Sequence, residues 1–211
     1  MANATESQGG PTVRVLDRFV RVFHWALVIA FTAAYFLSED ETLTWHTWAG
    51  YTVAALVLAR IVWGFAGPRH ARFADFVYRP SKALTYLKNL ILFRAERHLG
   101  HSPAGGLMVV ALLLSLLLTT ASGMAYYGTR TETDRIATFV SRSVLGLEPV
   151  APAIYKGTLR DRGNHDIKEI HELFGDISLI LIFAHIGGVV LASFAHRENL
   201  VRAMVTGDKR H

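Results

Sequence analysis

The chain has 211 residues, 51% of them hydrophobic and only 18% charged, with a mean hydropathy of +0.28 and a formal net charge of +5. That balance argues against an ordinary soluble fold and suits a single domain whose solvent is largely lipid; no nucleic-acid partner is expected. The absence of cysteine excludes disulfides, thiolate-held iron–sulfur clusters and a covalently attached c-type haem.

Residues 1–13 are polar and glycine-containing and read as a disordered cytoplasmic tail, leaving 14–211 as the folded domain. Arg14, Arg18 and Arg21 then precede an uncharged run from Val22 to Ser38. No small-x-small cleavage site follows it, so it reads as a span rather than a signal peptide. Further uncharged runs cover Thr42–Ala59, continuing past Arg60 to Phe65, then Ser102–Thr129 and Ile177–Ala195. A spanning helix needs roughly 17–25 mostly apolar residues. Four spans are predicted, at about 22–38, 44–66, 104–127 and 170–195, giving an all-α integral membrane four-helix bundle.

Lys and Arg set the orientation. There are three up to Arg21, seven in the 66–105 connection and four from His196 onward, but none in Glu39-Asp40-Glu41. Both termini are therefore expected in the cytoplasm. The 130–168 connection also carries basic residues, but it is long and mixed in charge, and long loops obey the rule poorly. Two short interfacial helices are expected between the spans. Ser81–Arg94 places Leu84, Leu87, Leu90 and Ile91 at helical spacing beside Lys82, Lys88 and Arg94. Thr131–Leu145 does the same with Ile136, Phe139, Val140 and Val144.

Four histidines lie at the ends of the spans. His24 opens the first and His46 the second, while His171 and His185 lie fourteen residues apart on the last. Fourteen steps of 100° return a helix to within about 40° of its starting face, ~21 Å further on. With helices 2 and 4 both running inward, His46 and His171 share the outer depth, and His24 and His185 the inner one. Each pair offers one imidazole from each of two helices, which is what a b-type haem needs. Gly50 is four residues after His46 and Gly175 four after His171, with Gly187 and Gly188 after His185, and these leave room for a flat ring. Small residues also mark plain helix packing, and a lone histidine at a helix end is often only interfacial. Two depth-matched pairs favour two haems, since ionisable groups inside spans are rare and tend to be functional. Zinc or copper would want three or four ligands at one place.

The residues Arg21-Val22-Phe23-His24-Trp25, His46-Thr-Trp-Ala-Gly50, Arg60-Ile-Val-Trp63-Gly64, Leu99-Gly-His-Ser-Pro-Ala-Gly105, His171-Glu-Leu-Phe-Gly175 through His185, and His196-Arg-Glu-Asn-Leu-Val-Arg202 resemble the bacterial cytochrome b561 and nickel-iron hydrogenase cytochrome b-subunit family. The resemblance extends over roughly residues 14–210. It implies two non-covalent b haems with His24, His46, His171 and His185 as axial metal ligands, in the bacterial inner membrane. It also implies electron exchange between a membrane quinone and a periplasmic partner, either a c-type cytochrome or a hydrogenase or dehydrogenase subunit. Some family members oxidise superoxide and reduce quinone. A non-redox structural subunit is a further alternative, and a homodimer is left open.

Arg60 is fourteen residues after His46 and either pairs a haem propionate or snorkels to the headgroups. His101, just before the third span, either serves the cofactor site or caps the helix entry. Trp25, Trp45, Trp48 and Trp63 fall near helix ends and read as an aromatic belt. The 130–168 loop, with Pro149 and Pro152, is expected to cover the outer site or orient the partner. No nucleophile or acid–base constellation points to bond-making catalysis.

Overall fold

The computed structural model describes residues 12–14, 17–38, 42–68, 71–96, 102–130, 134–144, 146 and 159–210. In chain order these form β1 (Thr12–Arg14), α1 (Arg18–Phe36), α2 (Leu43–Ala66), α3 (Phe73–Phe76), α4 (Pro80–Ile91), α5 (Pro103–Arg130), α6 (Arg135–Phe139) with a π turn at Val140–Val144, α7 (Leu159–Ala195), α8 (Leu200–Thr206) and β2 (Asp208–Arg210). Helices α1, α2, α5 and α7 are each long and apolar enough to cross a membrane. Their bulky side chains, Ile29, Phe36, Val62, Ile180 and Phe183 among them, are exposed. In water such a surface would aggregate; in hydrocarbon it is the expected outer face. The all-α class and the number of spans therefore agree with the hydropathy pattern.

Contacts group the chain into two compact units, and each draws on all four long helices. One comprises Met1–His24, Val62–Met108 and His185–His211; the other comprises Trp25–Ile61 and Val109–Ala184.

The first unit packs Val20, Phe23, Phe76, Ala83, Tyr86, Leu90 and Ala203 into its interior. Here two short strands from opposite ends of the described chain meet. Thr12–Arg14 pairs antiparallel with Asp208–Arg210, and Arg21 Nη1 donates to the Val205 carbonyl at 2.6 Å. The strand Thr12–Arg14 is the first described segment; residues 1–11 lie outside the described ones. Trp63 Nε1 donates to Asp17 Oδ2 at 3.2 Å and stacks at 4.6 Å on Phe19, so it is tied into this unit. Trp25, Trp45 and Trp48 are exposed as a belt requires.

The second unit buries Val53, Ala54, Val57, Leu113, Leu116 and Ala125. A hydroxyl cluster joins α5 to α7 in its interior. Ser178 Oγ lies 2.6 Å from Ser115 Oγ and 3.1 Å from Thr119 Oγ1, and Ser178 is 0% exposed. Hydroxyl pairs between helices in lipid contribute about 0.6 kcal/mol each, up to about 1.7. Ser178→Ala is expected to lose about 1 kcal/mol in a detergent-unfolding equilibrium; an unchanged midpoint would show that the cluster only fills space.

Helix α7 starts at Leu159, eleven residues before the predicted span. Hydropathy marks where lipid ends, whereas a helix continues for as long as its backbone and side-chain pairs allow. Two i,i+4 pairs support the extension, His165 with Glu169 at 3.1 Å and Lys168 with Glu172 at 3.2 Å. The long connection before it is correspondingly shorter, and 147–158 lie outside the described residues.

Candidate functional site

The four span histidines form two facing pairs, one in each unit. In the second unit the imidazole centroids of His46 and His171 are 6.0 Å apart with planes at 88°. In the first unit those of His24 and His185 are 6.4 Å apart at 56°. Two metal–imidazole bonds of about 2 Å, plus the half-ring from nitrogen to centroid on each side, sum to roughly 6 Å. Both pairs therefore have a ring separation that would suit two imidazoles sharing one iron. All four rings are half-buried.

Ring orientation in the second unit fits ligation too. His46 Nδ1 lies 2.8 Å from the Ala34 carbonyl at the end of α1, and His171 Nδ1 lies 2.9 Å from the Thr119 carbonyl of α5. A carbonyl oxygen only accepts, so both Nδ1 atoms carry a proton, and in the neutral ring Nε2 is the nitrogen left to ligate. Metal-binding histidines are commonly set by such a bond on the far nitrogen.

Helix α5 shapes the place of His171 more closely than the sequence suggested. A Cβ added to Gly123 would lie 2.8 Å from His171 Cε1 and 3.0 Å from Nδ1, and Ser122 Oγ is 3.5 Å from Nδ1. Thr119, Ser122 and Gly123 thus cradle the ring. Hydroxyl and small residues cluster there in a leucine-rich span, a pattern of close helix packing that does not by itself say which ring they meet.

Room for a flat cofactor is tested at the glycines beside the histidines. A Cβ added to Gly50, Gly175, Gly187 or Gly188 would meet nothing within 4 Å. These glycines border open space rather than a packed neighbour. The donor set, the ring separations and this space all fit haem b.

The remaining expected site residues divide. Arg60 is 2% exposed, so its guanidinium does not snorkel out of the second unit. A buried charged group within a span is functional by default. His101 lies outside the described residues, as does most of the segment between α6 and α7.

What is described of the connection before α7 is docked against the second unit. Asp134 caps α6, accepting from Ile136 N and Ala137 N at 3.0 Å each, and Tyr51 of α2 donates to it at 2.7 Å. A Cβ at Gly128 would strike the Ala137 carbonyl, so α6 approaches α5 there as closely as backbone allows. Burial pushes the Asp134 carboxyl up, but the bonds from Ala137, Tyr51 and Ile136 outweigh it and hold its pKa below the ordinary 3.8. A depressed carboxylate contributes stability above its unfolded pKa, and this is lost as pH falls through the folded value. Hydrogen exchange at the α6 amides, taken relative to the intrinsic rate at each pH, is expected to be slow near neutrality and to accelerate below that window. In Asp134→Ala it should be fast throughout, a loss of about 1 kcal/mol; acid-insensitive protection in the native chain would contradict the clamp.

Four membrane-length helices holding two facing, carbonyl-oriented or space-flanked imidazole pairs define a membrane protein of the b-haem-binding type. The sequence model of the prokaryotic cytochrome b561 family matches residues 15–207, and the chain belongs to that family. It is a multi-pass membrane b-type cytochrome of electron transfer. Among curated relatives, a "Probable Ni/Fe-hydrogenase B-type cytochrome subunit" of Bradyrhizobium diazoefficiens is 21% identical, covering 99% of this chain and 90% of the relative. A protein of the same name from Rhizobium leguminosarum is also 21% identical, covering 94% and 89%. No solved structure matches the chain.

Proposed function

We propose that the chain holds two b haems, one between His46 and His171 and one between His24 and His185. It carries electrons across the cytoplasmic membrane between the quinone pool and a partner on the periplasmic side. The observation that carries this reading is the pair of imidazole separations, 6.0 and 6.4 Å, each matching the span of one axially ligated iron. The haem iron supplies the chemistry by changing oxidation state. The chain's part is to ligate, to bury and to orient. The Ala34 and Thr119 carbonyls fix two of the rings, and the glycines keep the flanking space clear. Buried Arg60 provides charge-assisted hydrogen bonds to a haem propionate.

Both termini lie in the cytoplasm on this reading, by the distribution of Lys and Arg. The names of the two relatives favour a hydrogenase among the periplasmic partners. Anaerobic mixing of the oxidised, purified protein with a short-chain quinol tests the quinone link. Appearance of the reduced haem α-band is expected; an unchanged spectrum in the presence of quinol would remove quinone from the account.

A further inference from the structure

Helix α4 carries apolar residues on two separate faces. One face, Ala83, Tyr86 and Leu90, is buried in the first unit, and the Tyr86 hydroxyl hydrogen-bonds His196 Nε2 at 3.2 Å just past the end of α7. The other face, Leu84, Leu87 and Ile91, lies about 100° further round and is exposed. Lys88 borders that exposed face, and Lys82 lies beyond it on the polar side with Ser81, Thr85 and Asn89. A helix with a protein-facing, a lipid-facing and a water-facing sector fits a membrane surface.

The charge specifies which surface. Arg79, Lys82, Lys88 and Arg94 are all exposed, and no acidic residue occurs between Val77 and Ala95. The helix ends in a strained turn that adds to the argument. Phe93 takes φ 55°, and Arg94 N bonds back to the Asn89 carbonyl at 2.8 Å. Glycine would take this conformation freely, whereas a bulky residue is strained in it by of order 1–3 kcal/mol. The strained residue is an aromatic whose ring is 67% exposed, beside exposed Leu92. The turn thus leaves Phe93 exposed in sequence next to exposed Ile91 and Leu92.

We propose that α4 and its Leu92-Phe93-Arg94 turn form a docking surface for anionic phospholipid. Leu84, Leu87, Ile91 and Phe93 enter the acyl boundary, and Lys88 and Arg94 pair the phosphate groups. The Tyr86–His196 bond ties this contact to the helix bearing His185. The proposal does not depend on what the histidines hold.

The test compares the full protein in nanodiscs of phosphatidylcholine alone and of phosphatidylcholine with one-quarter phosphatidylglycerol, following hydrogen exchange of residues 80–92. Each basic residue near an anionic surface strengthens the contact several-fold, so exchange is expected to be roughly tenfold slower in the anionic discs. In Lys88→Gln/Arg94→Gln the two lipids should give equal rates, with global unfolding unchanged. Phe93→Gly, which relieves strain, is expected to stabilise the turn in detergent yet reduce the protection in anionic discs. Equal rates in both lipids for the native chain would overturn the proposal. So would protection that follows protein concentration rather than lipid charge, since that would assign the face to a second copy.

Discussion

Replacing Gly123 with valine is expected to remove the haem of the second unit while leaving the other in place. A Cβ at this position would already lie 2.8 Å from His171 Cε1, inside any normal contact, and the branched side chain adds two methyls behind it. The ring cannot retreat freely, because its Nδ1 is bound to the Thr119 carbonyl one turn earlier on α5. Either that hydrogen bond breaks or α5 and α7 separate, against the Ser115–Ser178 bond at 2.6 Å. Overpacking of this kind costs typically 1–3 kcal/mol, and on the two-haem proposal displacing the His171 nitrogen would end ligation. Haem content should fall to about half, with Gly123→Ala giving a partial loss and a shifted potential. A full haem complement in Gly123→Val would mean that His171 is not a ligand.

The second large effect runs the opposite way in stability. At Gly175 an added side chain would meet nothing within 4 Å, and glycine inside a helix is less stable than other residues by roughly 0.5–1 kcal/mol. If the space beside His171 were merely a surface, Gly175→Leu would stabilise the chain and change nothing else. If the space receives a haem, the same substitution stabilises the haem-free chain and abolishes one haem. Measured together, helix content, unfolding midpoint and haem-to-protein ratio separate these outcomes. A rise in stability with unchanged haem content would assign the glycine to the lipid face.

The pattern of the chain made the spans and the four histidines legible, because both depend on local properties. Uncharged length reports lipid crossing, and a fourteen-residue spacing reports a shared helix face. Depth alone paired His46 with His171 and His24 with His185, and those are the rings that face each other. That they ligate haem is the proposal.

Gly123 was not legible, because its role is defined by a ring on another helix. Ser178 sits seven residues from both His171 and His185 on α7, yet nothing in the sequence says that Ser115 and Thr119 meet it. The ends of elements failed for a different reason. Helix α7 runs past its apolar part, where the i,i+4 pairs His165–Glu169 and Lys168–Glu172 support it, which a hydropathy window does not register. Thr12–Arg14 becomes a strand only by pairing with the far end of the chain, a contact no local signal encodes. Trp63 looked like its three belt companions until Asp17 was found bound to its indole.

The central claim is that one chain carries two b haems, each held by one histidine pair. A redox titration of the purified protein, with the haem-to-protein ratio determined in parallel, tests this most directly when repeated for His46→Ala and His24→Ala. The account predicts two haems per native chain and two resolvable components, with His46→Ala losing one component and His24→Ala the other. A single haem in the native chain, or the loss of the same component from both variants, would contradict it.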